Sequence, residues 1–329
     1  MAHKGFRSAI QVVIAAVFAL LMSVVAVPSS ASAASETESD PRDSLASPTD
    51  APLLQADDLD AFWTPERMAA ATPPEIDEPV LDTALLQDLD LGEPRLVEPV
   101  APDSAPAAPM LDHSYATGRM FYLDVLGGSH SCSASAIASG NQSLVLTAAH
   151  CLYDIQWNFN VAFVPGYDNG YKPYGTWSGI YHTQTVPTSW IEDRDFQRDV
   201  GMLLVRPNSN GQTLNQVVGG HGFATGQGHE VDLHVIGYPE NHGDNQFQWH
   251  CWGRSGATGV IWDDRITMNC NFTKGASGGP WLLNYSATFP GLGLANGTLS
   301  TFRDDGLNFS PYFDDYVWNF QEQMSNLAP

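Results

Sequence analysis

Basic residues are scarce in this chain. Over 329 residues, 14 lysines and arginines stand against 37 aspartates and glutamates, a formal charge of −23 at pH 7. That shortage excludes the basic face on which nucleic-acid recognition depends. Cysteines number four, and no two of them stand in C-x-x-C spacing, which argues against a metal site of that kind. After the first thirty residues no apolar run reaches spanning length, so the mature chain is expected to be soluble, with no membrane partner. No histidine follows His250. His229, His234, His242 and His250 are scattered around one loop and strand and read as surface or structural residues rather than metal ligands.

What the N-terminus does have is the layout of a secretory signal peptide over residues 1–33. Lys4 and Arg7 precede the apolar stretch Ile10 to Val27, and Ala31-Ser32-Ala33 supplies a small-residue cleavage site. An even number of cysteines behind such a signal indicates disulfides in an oxidising compartment, with three pairings open. Residues 34–112 form a distinct acidic, Pro/Ala-rich region. Residues 34–111 hold 18 of the acidic residues and 3 of the basic ones. Such a composition buries little apolar surface, and the region is expected to be a largely disordered propeptide, the alternative being a spacer that stays attached. Two stretches within it have helical features. Thr64 can cap a helix opening at Pro65, and Leu81, Leu85 and Leu89 share one helical face.

From about residue 115 short β-prone runs alternate with Gly, Pro, Asn and Asp. Met120–Leu126, Ser131–Ile137, Leu144–Leu146, Val161–Val164 and Val200–Val205 are candidate strands of a first half, residues 113–212. Val231–Ile236, Phe247–Trp252, Thr258–Trp262, Arg265–Asn269, Pro280–Leu283 and Leu292–Leu294 are candidates in a second, residues 213–329. Many short strands with regular turns indicate an all-β fold, and the length suffices for two small barrels. The pattern changes at the end: Ser310-Pro311 can open a helix, and Phe313, Val317, Phe320 and Met324 recur on one face.

Three short motifs carry chemistry: Thr147-Ala148-Ala149-His150-Cys151, Arg198-Asp199-Val200-Gly201-Met202-Leu203-Leu204 and Gly275-Ala276-Ser277-Gly278-Gly279-Pro280. A serine hydroxyl is a weak nucleophile and needs a neighbouring base. Imidazole, with its ordinary pKa near neutrality, suits that role, and a buried carboxylate fixes its tautomer and stabilises the cation. Ser277, His150 and Asp199 are therefore candidate nucleophile, base and orienting acid. Asp199 is preferred to Asp195 because an apolar strand-like run follows it. Small residues around Ser277 permit a tight turn that offers the Gly275 and Ser277 amides as an oxyanion hole. The serine motif also fits the G-x-S-x-G elbow of α/β-hydrolases, but those carry histidine after serine. The order histidine, aspartate, serine is that of the chymotrypsin class.

On these motifs, together with Gly237-Tyr238-Pro239, residues 115–325 resemble a secreted chymotrypsin-fold serine peptidase of the bacterial trypsin-like and V8-like (glutamyl endopeptidase-like) group. The segment Trp63 to Met68 resembles a propeptide piece of actinobacterial members. The resemblance implies two six-stranded antiparallel β-barrels with a C-terminal helix. It places His150 and Asp199 on the first barrel, Ser277 on the second and the active site between them. It also implies the pairings Cys132–Cys151 and Cys251–Cys270.

Alanine at 276 cannot make the ion pair by which animal trypsin-like enzymes capture a new N-terminus. In the family the residue six before the serine lies at the base of the primary pocket. Here it is the uncharged Asn271, which does not support cleavage after Arg or Lys. Glutamate-specific relatives use a hydroxyl residue five before the serine and a downstream histidine. Phe272 and, by alignment of Gly293 to Gly297, Ala295 stand there instead, and Asn271, Phe272 and Ala295 are taken as the substrate-pocket candidates. Lys274 reads as a surface cation, with attraction of an acidic side chain as its alternative.

The expectation is a secreted, monomeric serine endopeptidase acting on proteins or peptides, needing no metal or organic cofactor. A non-catalytic peptidase-like binding module and an esterase using the same three residues are the alternatives.

Overall fold

The computed structural model describes residues 44–50, 58–76, 91–104, 113–260 and 262–328. The chain separates into two compact units, residues 1–38 and 39–329, and every described residue belongs to the second. The signal-peptide reading and the Leu81–Leu89 face lie outside the described residues. Among the described residues no helix is long and apolar enough to cross a membrane.

The fold is all-β and chymotrypsin-like, with curled sheets, few helices and one C-terminal helix. In the first half six strands form one antiparallel sheet. Its spatial order is Trp177–Ser178, Phe159–Pro165, Thr117–Leu123, Ser129–Ile137, Leu144–Thr147 and Gly201–Leu204. Strand Ser129–Ile137 carries serine or alanine at most inner positions, so neighbouring strands approach closely while Phe163, Trp177, Trp190 and Leu203 fill the core. In the second half the strands divide between two sheets. One has six strands, the last contributed by residues before the first half, in the order Trp249–Arg254, Asp232–Gly237, Pro280–Ser286, Leu292–Thr298, Gly222–Thr225 and Arg95–Val97. The other has four, ordered Gly256–Ala257, Ile266–Asn269, Leu307–Ser310 and Thr301–Phe302. Gly222–Thr225 pairs in parallel with Leu292–Thr298, an exception to the antiparallel expectation.

Most expected strands are present with ends shifted by a few residues. Thr258 to Val260 is a turn instead, with Gly259 at a φ of +80° and the Val260 amide donating to the Thr258 hydroxyl. The C-terminal helix runs over Asp315–Asn326 and is capped by Asp314, whose carboxylate accepts the Val317 amide at 3.1 Å. Ser310 does not open it. That residue ends a strand, where its hydroxyl accepts the Thr298 amide at 2.9 Å and donates to the Pro311 carbonyl. Val317, Phe320 and Met324 bury one stripe of the helix against Ile137, Leu144 and Phe223.

Three pieces of the expected leader, residues 34–112, are among the described residues. Leu45–Ala46 pairs with Val186–Pro187, and Arg95–Val97 pairs with Gly222–Thr225 as an edge strand. Between them Leu59–Phe62 and Pro65–Ala70 are short helices; Thr64 caps the second, accepting the Arg67 amide, with Pro65 at its first position.

Candidate active site

Strand pairing brings the histidine and aspartate motifs together. Strands Leu144–Thr147 and Gly201–Leu204 are antiparallel, with Thr147 opposite Gly201. His150 sits in a single 3₁₀ turn just after the first strand, and Asp199 just before the second. His150 Nδ1 is 2.7 Å from Asp199 Oδ2, and the His150 amide donates to Asp199 Oδ1 at 2.9 Å. Both side chains are shielded from solvent. The rival Asp195 instead caps the turn Phe196–Arg198, accepting the Gln197 amide.

Burial pushes the Asp199 carboxyl up, but the charge and Nδ1 hydrogen bond of His150, the Ser300 hydroxyl and the His150 amide together hold it below the usual carboxylate range. Ser300 donates to Oδ2 at 2.6 Å. An ionised carboxylate only accepts, so Nδ1 carries a proton, and the tautomer with its remaining lone pair on Nε2 is the one this contact favours. Among the described residues, Nε2 is buried without a hydrogen-bond partner. The Ser277 hydroxyl is therefore not bonded to it in this state.

The serine loop is fixed to the first half through one residue. The Ser133 amide donates to the Ser277 carbonyl at 2.7 Å, and the Ser133 hydroxyl donates to the Gly275 carbonyl at 2.9 Å. Cys132, next to Ser133, is joined to Cys151, next to His150. One disulfide thus ties the anchor of the serine loop to the histidine turn. Two glycines make the loop possible. Gly275 has φ +88°, and a Cβ there would stand 2.6 Å from the Tyr238 carbonyl. Gly278 has φ +81°, and its Cβ would stand 2.1 Å from Thr147 Oγ1. The Gly278 amide donates to Leu299 and that of Gly279 to Ala276, whereas the amides of Gly275 and Ser277 have no acceptor among the described groups. Ala276 is fully buried in the second-half core. The second disulfide, Cys251–Cys270, links strand Trp249–Arg254 to the residue just after strand Ile266–Asn269.

The pocket candidates separate. Asn271 is exposed, with φ +52°, and its carbonyl accepts from the Asn241 side chain. Phe272 is buried, and its backbone amide and carbonyl are both clamped by the side chain of Asn308 at 3.0 and 2.8 Å. Ala295 does not join them. It is fully buried opposite Leu282 and Phe223, in a different part of the core from Phe272. The segment beside the serine loop is Leu299 to Thr301: Leu299 exchanges hydrogen bonds with Gly278 and Gly279, and Ser300 reaches Asp199. Neither Ser300 nor Asn308 stands in a motif, and only the folded pairing of Thr301–Phe302 with Leu307–Ser310 brings them here.

Among the described residues, the one grouping of three potential metal ligands is Cys132, His150 and Cys151. Two of its three ligand atoms are joined in the disulfide and have no thiolate to offer. The scattered histidines serve other ends. His234 Nε2 lies 2.8 Å from His250 Nδ1, and His250 Nε2 lies 3.1 Å from Gln248 Oε1. Burial lowers His234 to about 4 and, helped by the neighbouring histidine charges, His250 to about 3.

The trypsin family model matches residues 113–295. A thermostable serine protease, AL20, from an extremophilic microorganism superposes with a TM-score of 0.59 at 29% identity, over 64% of this chain and 97% of that one. The protease Anisep from Arthrobacter nicotinovorans gives a TM-score of 0.60 at 26% identity, over 66% and 98%. An extracellular metalloprotease of Bacillus subtilis is 28% identical over 163 residues, and the chain spans about half the length of that curated relative (45% of each). With a family model covering more than half of the sequence and solved serine proteases of the same architecture, the chain belongs to the trypsin family of serine endopeptidases.

Proposed function

We propose that this endopeptidase hydrolyses peptide bonds through an acyl-enzyme formed on Ser277. Its hydroxyl oxygen attacks the substrate carbonyl while His150 Nε2 takes the proton. The imidazolium then gives that proton to the leaving amine as the C–N bond breaks, and a water molecule repeats the cycle to release the acid. Asp199 holds the ring and stabilises its cation. The Gly275 and Ser277 amides bind the developing oxyanion. The observation that carries this reading is the 2.7 Å contact from His150 Nδ1 to a fully buried Asp199, which leaves Nε2 as the one uncommitted atom of the ring. Ser277→Ala is expected to lower kcat by roughly four to six orders of magnitude. Near-wild-type turnover by that variant overturns the assignment.

The same reading makes the protein secreted, with residues 34–112 removed on maturation. Two disulfides and the signal-like N-terminus support export to an oxidising compartment. N-terminal sequencing of the active species is expected to find a start between residues 100 and 120; Ala34 there contradicts the maturation step.

A further inference from the structure

The leader piece 58–76 is anchored where its apolar residues enter the first-half core. Leu59, Trp63, Met68 and Ala71 are buried with Phe121, Phe159, Tyr167 and Tyr238. The Trp63 indole donates to the Asn160 carbonyl at 2.8 Å, and the buried Arg119 donates to the Ala71 carbonyl at 3.2 Å. Thr72 then joins the edge of strand Ser129–Ile137, donating to the Ser129 carbonyl and accepting from the Ser131 amide. Beyond this rung the segment reaches the serine loop. Pro73 is buried, its ring 3.4 Å from where a Cβ on Gly275 would stand. Two residues on, both carboxylate oxygens of Glu75 lie 2.5 Å from Lys274 Nζ, on the residue that immediately precedes Gly275.

The ion pair does not hold this segment in place. The Glu75 side chain is 82% exposed and that of Lys274 34%, and a pair so wet contributes little to stability. Trp63 and its neighbours do the anchoring. Lys274 is a cation in a chain region of 19 acidic and 9 basic residues (112–329), next to a proposed oxyanion amide. Its backbone is fixed, since the carbonyl accepts the Glu240 amide at 2.8 Å. The ammonium group that Glu75 contacts is thus carried on the residue next to a proposed oxyanion amide.

We propose that Lys274 is a carboxylate-reading subsite of the peptidase, occupied by Glu75 in the uncleaved chain and by an acidic side chain of the peptide substrate once residues 72–75 have left. The proposal rests on Ser277 being the nucleophile. It adds a substrate class, peptides with Asp or Glu near the scissile bond, and gives the leader a substrate-like contact at the site it covers.

The test uses the chain as recovered from a secreting host, its N-terminus recorded. Peptides that differ only by Glu, Gln or Lys are scanned through the positions flanking the scissile bond. At one position the Glu peptide is expected to exceed the Gln peptide by about two- to fivefold in kcat/KM, through KM, and the advantage fades at high salt. Lys274→Ala levels the ratio and Lys274→Glu inverts it in favour of the Lys peptide. A Glu:Gln ratio that is the same in wild type and Lys274→Glu at every position overturns the subsite. Failure of the wild-type chain to cut any peptide refutes the peptidase reading and the subsite with it, whereas cleavage blind to charge refutes the subsite alone.

Discussion

Asp199 grips His150 at two points, Oδ2 at the ring Nδ1 and Oδ1 at the backbone amide, 2.7 and 2.9 Å away. The carboxylate thereby fixes both the tautomer of the ring and the position of the turn that carries it. Ser300 supplies a third donor to the same carboxylate.

Asp199→Asn puts an amide where only an acceptor serves. Either its NH₂ faces Nδ1 or the ring reverses its tautomer and loses the lone pair on Nε2. A drop of about four orders of magnitude in kcat is expected, because the ring held in the wrong tautomer cannot take the serine proton. Ser300→Ala removes one charge-assisted hydrogen bond and is expected to cost about tenfold. Steady-state kinetics on both variants checks this; equal losses would mean that Asp199 acts only through the bond it shares with Ser300.

Acid stability depends on His221. The Gly293 amide donates to His221 Nδ1 at 3.2 Å, and an amide N–H can donate only to an unprotonated nitrogen. Nε2 therefore carries the proton, toward the Ser114 and Thr117 hydroxyls at 3.2 and 3.0 Å. Burial drives the folded-state pKa of His221 from 6.5 down to about 3. Between those values the unfolded chain binds a proton that the folded one refuses, so the contribution is fully present above pH 6.5 and is lost as pH falls toward 3. His234 and His250 act in the same direction. Denaturant titrations across this window are expected to show falling stability, with a shallower slope in His221→Gln. An unchanged slope in that variant would remove His221 from the account.

Trp63 is fully buried although it belongs to the acidic region proposed as a leader. Trp63→Ala removes its ring from the Phe121, Phe159 and Tyr167 cluster and deletes the indole bond to Asn160. In the uncleaved chain this is expected to cost about 3–5 kcal/mol. Thermal unfolding reads the loss, and a neutral effect would mean that the leader does not dock through this residue.

Much of this site is legible in the sequence because its parts are local. His150 and Ser277 stand inside short motifs, Asp199 announces itself by the strand that follows, and the Thr64-Pro65 helix start is a matter of adjacent residues. What is not legible depends on distant segments meeting. Ser300 lies between strands Leu292–Thr298 and Thr301–Phe302 with no motif around it, and its role appears only when the fold sets its hydroxyl against Asp199. The glycine pattern around Ala295 lies on the core strand Leu292–Thr298, and which face of a strand a residue takes is set by its pairing, not by the local pattern. The docking of residues 58–76 is hidden by an acidic composition in which a few apolar side chains find a surface that exists only after the first half has folded.

The proposed catalysis by Ser277 calls for no metal, and the oxidised Cys132 and Cys151 have no thiolate to bind one. A chelator is expected to leave peptide hydrolysis within about twofold of the untreated rate, since the serine mechanism runs through side chains and backbone amides alone. Complete, metal-reversible loss of chemistry with the fold intact by circular dichroism would point to a different mechanism.

Covalent labelling with a fluorophosphonate tests the central claim most directly. The account predicts one adduct per active chain, mapped by mass spectrometry to Ser277, formed in parallel with loss of hydrolysis and abolished in His150→Ala. An adduct on another residue, or labelling of Ser277 at the wild-type rate in His150→Ala, would contradict it.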